Sequence, residues 1–413
     1  MAVPKPLKRV ADFENLGFGM FAHWGLYSQL GVGEWTFNQH KRDMNEYKKL
    51  ADTFTAEDFN ADEFVLTAKN AGCRYITLTT RHHEGFSLYD TKGLSTFDAL
   101  HTPAGRDLIK EFVDACNRHG IVPFFYHTTL DWYNPDFNND FDSYLEYLRK
   151  SVEVLCTNYG KIGGLWFDGN WSKKGADWKE DALYATIRKH QPDAIIVNNT
   201  GLSAKGALGN PEIDSVTFEQ GRPSPMNREG MAKYIAAEMC ETLNDHWGIG
   251  EDDFNYKSPC ELIESLCACR RVGANYLLNI GPTAQGGVDP FQRELMATLG
   301  KWMKLFGEAI YLGRPHGARC SSKKNFALKS DDYIYFFIHD LARVGDVNVT
   351  VGGNYQGAHV FTGVPEEIES ITWMDDEKPL PFTQNNSIFA FNAVGYPYGK
   401  STCVRVAKAK IKK

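Results

Sequence analysis

Short apolar runs and amphipathic stretches alternate along the first three quarters of the chain. An apolar run at 17–25 comes first. Residues 60–71 follow, where Phe64, Val65, Ala68 and Ala71 keep helical spacing between an Asn60/Glu63 capping pair and a terminating Gly72. The cycle repeats with a strand at 74–80, then a helix marked by Leu108, Phe112, Ala115 and Cys116 that closes at Gly120. A strand at 121–127, a helix carrying Leu145, Leu148, Val152 and Leu155, a strand at 165–167 that stops at Asp168, a helix near 177–189 and a strand at 194–199 come next. Between 200 and 257 the pattern blurs. It holds a strand-like run at 213–218 and a short helix-like stretch ending near Glu238. Regularity returns with a helix at 259–272, a strand at 275–280 and a helix at 290–306. Such alternation predicts a parallel α/β architecture with right-handed crossovers. About eight strands favour a closed, irregular barrel over an open sheet.

After Arg314-Pro315 the helical pattern stops. Strand-like runs at 332–338, 347–351, 359–362, 370–373 and 402–406 stand between turn signals and predict a small antiparallel β domain. Residues 407–413 read as a basic, solvated tail. The expected domains are therefore a barrel over 1–315 and a β domain over 316–413.

Composition narrows the class. The chain has 413 residues, 43% hydrophobic and 23% charged, which suits a large barrel plus a smaller domain and excludes disorder. A net charge of −7 argues against nucleic acid and anionic membrane as partners. No apolar core of a signal peptide follows the basic start, and no stretch of eighteen apolar residues occurs. Nine scattered cysteines, with Cys267 and Cys269 read as core, fit reduced, buried thiols and a cytoplasmic setting. A mature secreted form is the other reading.

The strand ends carry the chemistry. In Gly163-Gly164-Leu165-Trp166-Phe167-Asp168-Gly169 an acid closes a buried strand beside a glycine that permits a sharp turn. One acid at such a place serves as readily as a turn or helix cap. Other strand ends, however, also end in reactive or ring-bearing groups: His23-Trp24, Glu34-Trp35 just after, His82-His83, Tyr126-His127, Glu219, and Trp247 further on. In (β/α) barrels that end of the strands holds the active site. A metal centre is one reading. It is weakened by the lack of a ligand pair on one element and by adjacent histidines, which point to opposite faces of a strand. The other is a sugar pocket, in which His, Glu and Tyr meet hydroxyls, Trp meets the apolar ring face, and two carboxyls flank the scissile bond.

Six segments, taken together and in order, resemble the α-L-fucosidases of glycoside hydrolase family 29. They are Phe18-Gly-Met-Phe-Ala-His23-Trp-Gly-Leu-Tyr27, Gly33-Glu-Trp35, Leu78-Thr-Thr-Arg-His82-His83-Glu-Gly-Phe86, Tyr126-His-Thr with Asp131-Trp132, Leu165-Trp-Phe-Asp168-Gly, and Leu277-Leu-Asn-Ile-Gly-Pro282. The resemblance covers roughly residues 10–315. It implies an irregular (β/α)8-like barrel followed by a β-sandwich, and a retaining exo-hydrolase of terminal α-L-fucose that uses no metal or cofactor. By it Asp168 matches the nucleophile. His23, Glu34, Trp35, His82, His83 and Tyr126 match residues that hold the sugar, Trp166 lines the pocket, and Trp247 packs on its apolar side. The acid/base stays open. Glu219, in Thr217-Phe218-Glu219-Gln220, resembles a Thr-Pro-Glu-Gln stretch with Phe for Pro. Glu238 resembles the acid of a Trp-Glu-Thr-Cys stretch with Ala237 for Trp, and Glu241 is a weaker third. The Glu219 stretch belongs to the branch that favours α-1,3- or α-1,4-linked fucose, so the expected partner is a fucosylated oligosaccharide or glycoconjugate. A non-catalytic fucose-binding relative and a metal-dependent barrel hydrolase are the competing readings.

Overall fold

A computed structural model describes residues 2–199, 204–343 and 356–413. The chain divides into two compact units. One holds Met1–Lys257 with Asn275–Ala297, and the other Ser258–Ala274 with Thr298–Lys413.

The first unit contains a closed barrel of eight parallel strands in sequence order. They are β1 (Phe18–Ala22), β2 (Tyr75–Arg81), β3 (Val122–Thr128), β4 (Gly164–Asp168), β5 (Ile195–Asn198), β6 (Ser215–Glu219), β7 (Ala236–Thr242) and β8 (Asn275–Ile280). β1 pairs with both β2 and β8 and closes the ring. The strands match the apolar runs because a parallel strand covered on both faces has no reason to alternate. The barrel is irregular at one seam, where β5 and β6 share a single registered pair, Val197 with Ser215. That seam falls in the stretch where the sequence pattern blurs. The expected short helix before Glu238 is absent; residues 229–230 form a turn and 232–233 a bend, and Glu238 lies inside β7. The interior is filled by Phe21, Tyr75, Phe124, Tyr126, Trp166 and Leu277. Helix Lys8–Leu16 adds Val10 and Phe13 to the same cluster.

The second unit holds two antiparallel sheets. One orders Arg319–Cys320, Gln356–Thr362, Ile388–Val394 and Phe382–Asn385. The other orders Ile368–Trp373, Val404–Ile411, Tyr333–His339, Phe326–Lys329 and Arg314–Pro315. Phe336 of one sheet packs against Phe361, Phe389 and Phe391 of the other, so this is a β-sandwich. The run at 347–351 lies outside the described residues. The expected basic tail is instead a strand. Val404–Ile411 pairs on both sides, buries Val406, Ala407 and Ala409, and sends Lys408 to Glu308 and Lys410 to Glu369.

Residues 258–274 and 298–315, which the sequence pattern assigns to the barrel, cluster with the sandwich. Cys260 and Cys403 form a disulfide across 143 residues, and Trp302 donates a hydrogen bond to the Val404 carbonyl. The disulfide departs from the expectation of uniformly reduced thiols, since no local spacing announces a pair so far apart. Cys267 and Cys269 are buried and form no disulfide.

Candidate active site

The first seven barrel strands, β1 to β7, each send a side chain or the following loop to one pocket at the carboxyl end, and β8 supports it from behind through Asn279. Asp168 is the last residue of β4. Gly169 follows with φ +124°, and a Cβ there would meet the Leu130 amide at 2.5 Å, so the turn demands glycine. Four donors surround the Asp168 carboxyl. Trp171 Nε1 lies 2.8 Å and Asn199 Nδ2 3.4 Å from Oδ1, while the Tyr126 hydroxyl lies 3.2 Å and His83 Nε2 3.5 Å from Oδ2. Burial pushes this carboxyl up, but the contacts from His83, Trp171 and Tyr126 outweigh it and hold Asp168 below the usual carboxylate range.

Glu219 ends β6. Its Oε2 accepts a 2.6 Å hydrogen bond from Asn199 Nδ2, and Asn199 is itself oriented by Thr217 Oγ1, which donates to Asn199 Oδ1 at 2.9 Å. Burial, together with the nearby Asp168 charge, pushes Glu219 up to about 7. The two carboxyls of one pocket are thus driven apart, Asp168 toward the anion and Glu219 toward the neutral acid.

The remaining predicted acids sit elsewhere. Glu238 is buried in the barrel interior, with Oε2 accepting from the Tyr75 hydroxyl at 2.5 Å and Oε1 from Trp166 Nε1 at 3.0 Å. Glu241 accepts from the Tyr276 hydroxyl at 2.6 Å, on the opposite face of β7. Neither lines the pocket.

His82 and His83 do not point to opposite faces. β2 ends at Arg81, so strand alternation no longer applies, and the two rings stand side by side in the pocket with centroids 4.1 Å apart. The His82 ring stacks on Tyr126 at 5.7 Å, and His83 is fixed through Nδ1 by Thr128 Oγ1 at 2.7 Å. His23 follows β1, and its Nδ1 lies 2.7 Å from Asn279 Oδ1. Asn279 Nδ2 donates to the Trp247 carbonyl, which settles the amide orientation and makes His23 Nδ1 the donor. Burial lowers His23 to about 3, so the ring is neutral and its Nε2 is an acceptor.

Glu34 works from behind. Its Oε2 accepts from the amides of Trp247 (3.1 Å) and Gly248 (2.8 Å), so with Asn279 it clamps the loop that carries Trp247. Trp247 stands 5.1 Å from His23, Trp166 stacks on Tyr126 at 5.7 Å, and Trp35 stacks on Trp171 at 5.7 Å, which gives the pocket aromatic walls. His127, beside Tyr126, bonds Thr80 and faces away. Among the described residues no group of three or more His, Cys, Asp or Glu is placed to hold a metal ion.

Sequence reasoning does not single out Asn199, Trp171 and Asn279. Trp171 stands three residues after Asp168, and Asn199 closes a predicted strand, so position alone marks them weakly.

A family model described as Alpha-L-fucosidase matches residues 6–308. The chain belongs to the alpha-L-fucosidase family, and so to the glycoside hydrolases. The tissue alpha-L-fucosidase of Mus musculus is 29% identical over 344 residues, covering 76% of this chain and 73% of its own. Among solved structures, alpha-L-fucosidase isoenzyme 1 from Paenibacillus thiaminolyticus superposes with a TM-score of 0.84 at 28% identity, covering 98% of this chain and 99% of its own. A Bacteroides thetaiotaomicron family 29 enzyme, trapped as a covalent intermediate with 2-fluoro-fucosyl fluoride, gives a TM-score of 0.80 at 23% identity, covering 100% of this chain and 98% of its own. At that identity the last likeness speaks for the fold. Barrel and sandwich are those the resemblance implies.

Proposed function

We propose that this member of the alpha-L-fucosidase family removes terminal α-L-fucose with retention, using Asp168 as nucleophile and Glu219 as acid/base. One observation carries this assignment: a single nitrogen, Asn199 Nδ2, touches both carboxyls. Its contacts, 3.4 Å to Asp168 Oδ1 and 2.6 Å to Glu219 Oε2, hold those two oxygens within about 6 Å of each other, in keeping with the closely spaced carboxyls of a retaining pair.

In the first step Asp168 attacks the anomeric carbon as the bond to the leaving oxygen breaks. Glu219 gives that oxygen its proton. Asn199 occupies Oε2, so the transferable proton sits on Oε1. Once Asp168 becomes an ester its charge is gone, and with it one of the three influences that keep Glu219 protonated, the others being burial and the Glu34 charge. Glu219 then falls in pKa and takes the proton of the water that releases fucose. His23, His82, His83 and Tyr126 are assigned to the sugar hydroxyls and Trp247 to its apolar face. Glu34 is assigned to holding the Trp247 loop. A non-catalytic sugar-binding relative would lack one of the two carboxyls, and here both face one pocket.

On the Glu219 stretch we assign α-1,3 or α-1,4 linkage to N-acetylglucosamine as the preferred substrate. The test is a fucose-release assay on di- and trisaccharides linked α-1,2, α-1,3, α-1,4 and α-1,6, with an aryl fucoside as reference. Fastest turnover of the α-1,3 or α-1,4 compounds is expected. Fastest turnover of α-1,2 or α-1,6 overturns the linkage, and no release from any of them overturns the activity.

A further inference from the structure

A second group of buried polar side chains lies beside His82, outside the lining of the pocket. Glu84 is fully buried there, against the backbone of Gly25, where a Cβ would come within 2.5 Å of Glu84 Oε1. Neither Glu84 oxygen makes a well-formed hydrogen bond, and the same holds for the Tyr27 and Tyr47 hydroxyls and for His82 Nδ1. His82 Nδ1 faces Glu84 Oε2 at 3.5 Å. Such a set of buried polar atoms is costly unless the atoms serve one another. The mechanism above gives Glu84 no task.

Its surroundings set the charge of this carboxyl. The ionisable groups that face it are Asp131, Glu34, Tyr27, Tyr47 and the His82 ring; Asp131 is itself paired with Arg81 at 3.7 Å, and Arg42 acts on Tyr47. Burial, opposed in part by the nearby amides of Glu84 and Leu26, pushes Glu84 up to about 8. Burial also drives His82 well below its ordinary value, so its ring is neutral. A neutral acid facing a neutral imidazole has one favourable arrangement: the acid donates, and the facing ring nitrogen accepts.

We propose that Glu84 is a positioning residue for sugar recognition, donating its proton to His82 Nδ1 and so fixing His82 as the tautomer whose Nε2–H is turned to the pocket. The 3.5 Å separation shortens to a hydrogen bond when the occupied site tightens. His82 then offers a donor where His23, held by Asn279, offers an acceptor. Two histidines 5.6 Å apart thus present opposite polarity to a sugar hydroxyl, which both gives and takes hydrogen bonds. Above about pH 8 the ionised Glu84 accepts from Nδ1–H instead, and the pocket edge of His82 changes from donor to acceptor.

This inference rests on the pocket being the fucose site, and its test separates the two. Nitrogen-15 spectra of histidine-labelled protein, with the His82 signals identified by their loss in His82→Ala, read the tautomer without substrate. The Nε2–H form is expected in the parent and in Glu84→Gln, whose amide donates as the neutral acid does. In Glu84→Leu that preference is lost. In parallel, Glu84→Leu is expected to raise KM for an aryl α-L-fucoside ~10-fold or more, and Glu84→Gln to recover most of that loss. The parent's rise in KM above about pH 8 is expected to vanish in Glu84→Gln. A parent His82 in the Nδ1–H form, or a tautomer unchanged in folded Glu84→Leu, overturns the inference. So does equal damage in the Gln and Leu variants. A parent inactive on the aryl fucoside overturns instead the reading of the site.

Discussion

Asn199 shows how much of this site resides in convergence. Its amide nitrogen serves a carboxyl from β4 and one from β6, while Thr217 fixes its other end. No spacing along the chain announces that meeting. Asp168 is legible because an acid closes a buried strand beside a glycine, and Trp171 is not, because its indole matters only once the turn brings it back onto Asp168. A general acid matters most when the leaving group is poor, so Glu219→Ala is expected to lose about 10²–10⁴-fold on a fucosylated oligosaccharide and far less on an activated aryl fucoside. The charged groups facing Glu219 are Asp168, Glu34 and Lys205. With Glu219 raised to about 7, parent kcat/KM on the oligosaccharide should fall as pH rises through about 7, because the proton to be donated is gone. At the acid end the limit is Asp168, below the usual carboxylate range. Rate profiles of parent and variant against pH check both limbs. A Glu219→Ala enzyme with equal losses on both leaving groups contradicts the role.

β7 is the element the sequence conceals. Two acids, Glu238 and Glu241, interrupt its apolar pattern, and Glu238 reads as the end of a short helix-like stretch. In the structure all seven residues of β7 are buried, and the acids are satisfied by Tyr75, Trp166 and Tyr276. The eight-strand alternation is legible because the other strands are short and apolar, while a strand that buries one carboxyl inside the barrel and a second on its outer face breaks that rule. The run at 402–406 reads as a strand, but its continuation to Ile411 is masked by Lys408 and Lys410, which pair with Glu308 and Glu369. Burial raises Glu238 to about 7 even against the hydrogen bonds from Tyr75 and Trp166. Its folded value stands above its unfolded one, so its contribution to stability is full below about pH 4.5 and is lost as pH rises to about 7. Glu238→Gln cannot ionise. It should remove a pH-dependent loss on the order of 3 kcal/mol from that window. Denaturant unfolding of parent and variant at pH 4.5 and pH 8 measures this. In activity, Glu238→Gln should lose evenly across leaving groups, and selective loss on poor leaving groups would exchange its role with that of Glu219.

At the scale of the molecule, six ordered segments carried the barrel and its pocket, whereas the second unit was read only in outline. Its short strands are legible as alternating runs. The helix Pro259–Arg271 and the end of Pro290–Leu312 cluster with the sandwich through tertiary contacts that a helical pattern does not encode. The Cys260–Cys403 bond joins two cysteines of that unit that lie 143 residues apart in the chain. Its removal in Cys260→Ser should cost roughly 2–4 kcal/mol of unfolding free energy. Reductant should produce the same shift in the parent and none in the variant, and identical melting of oxidised and reduced parent would show that the bond is not formed in solution. The central claim is that Asp168 forms a covalent bond to fucose. It is tested most directly by treating the enzyme with 2-fluoro-fucosyl fluoride, digesting it, and locating the label by mass spectrometry. The expected result is one fluorofucosyl group per chain, on the peptide holding Asp168 and absent in Asp168→Asn. A label on Glu219 or Glu238, or turnover of the reagent with no label at all, contradicts it.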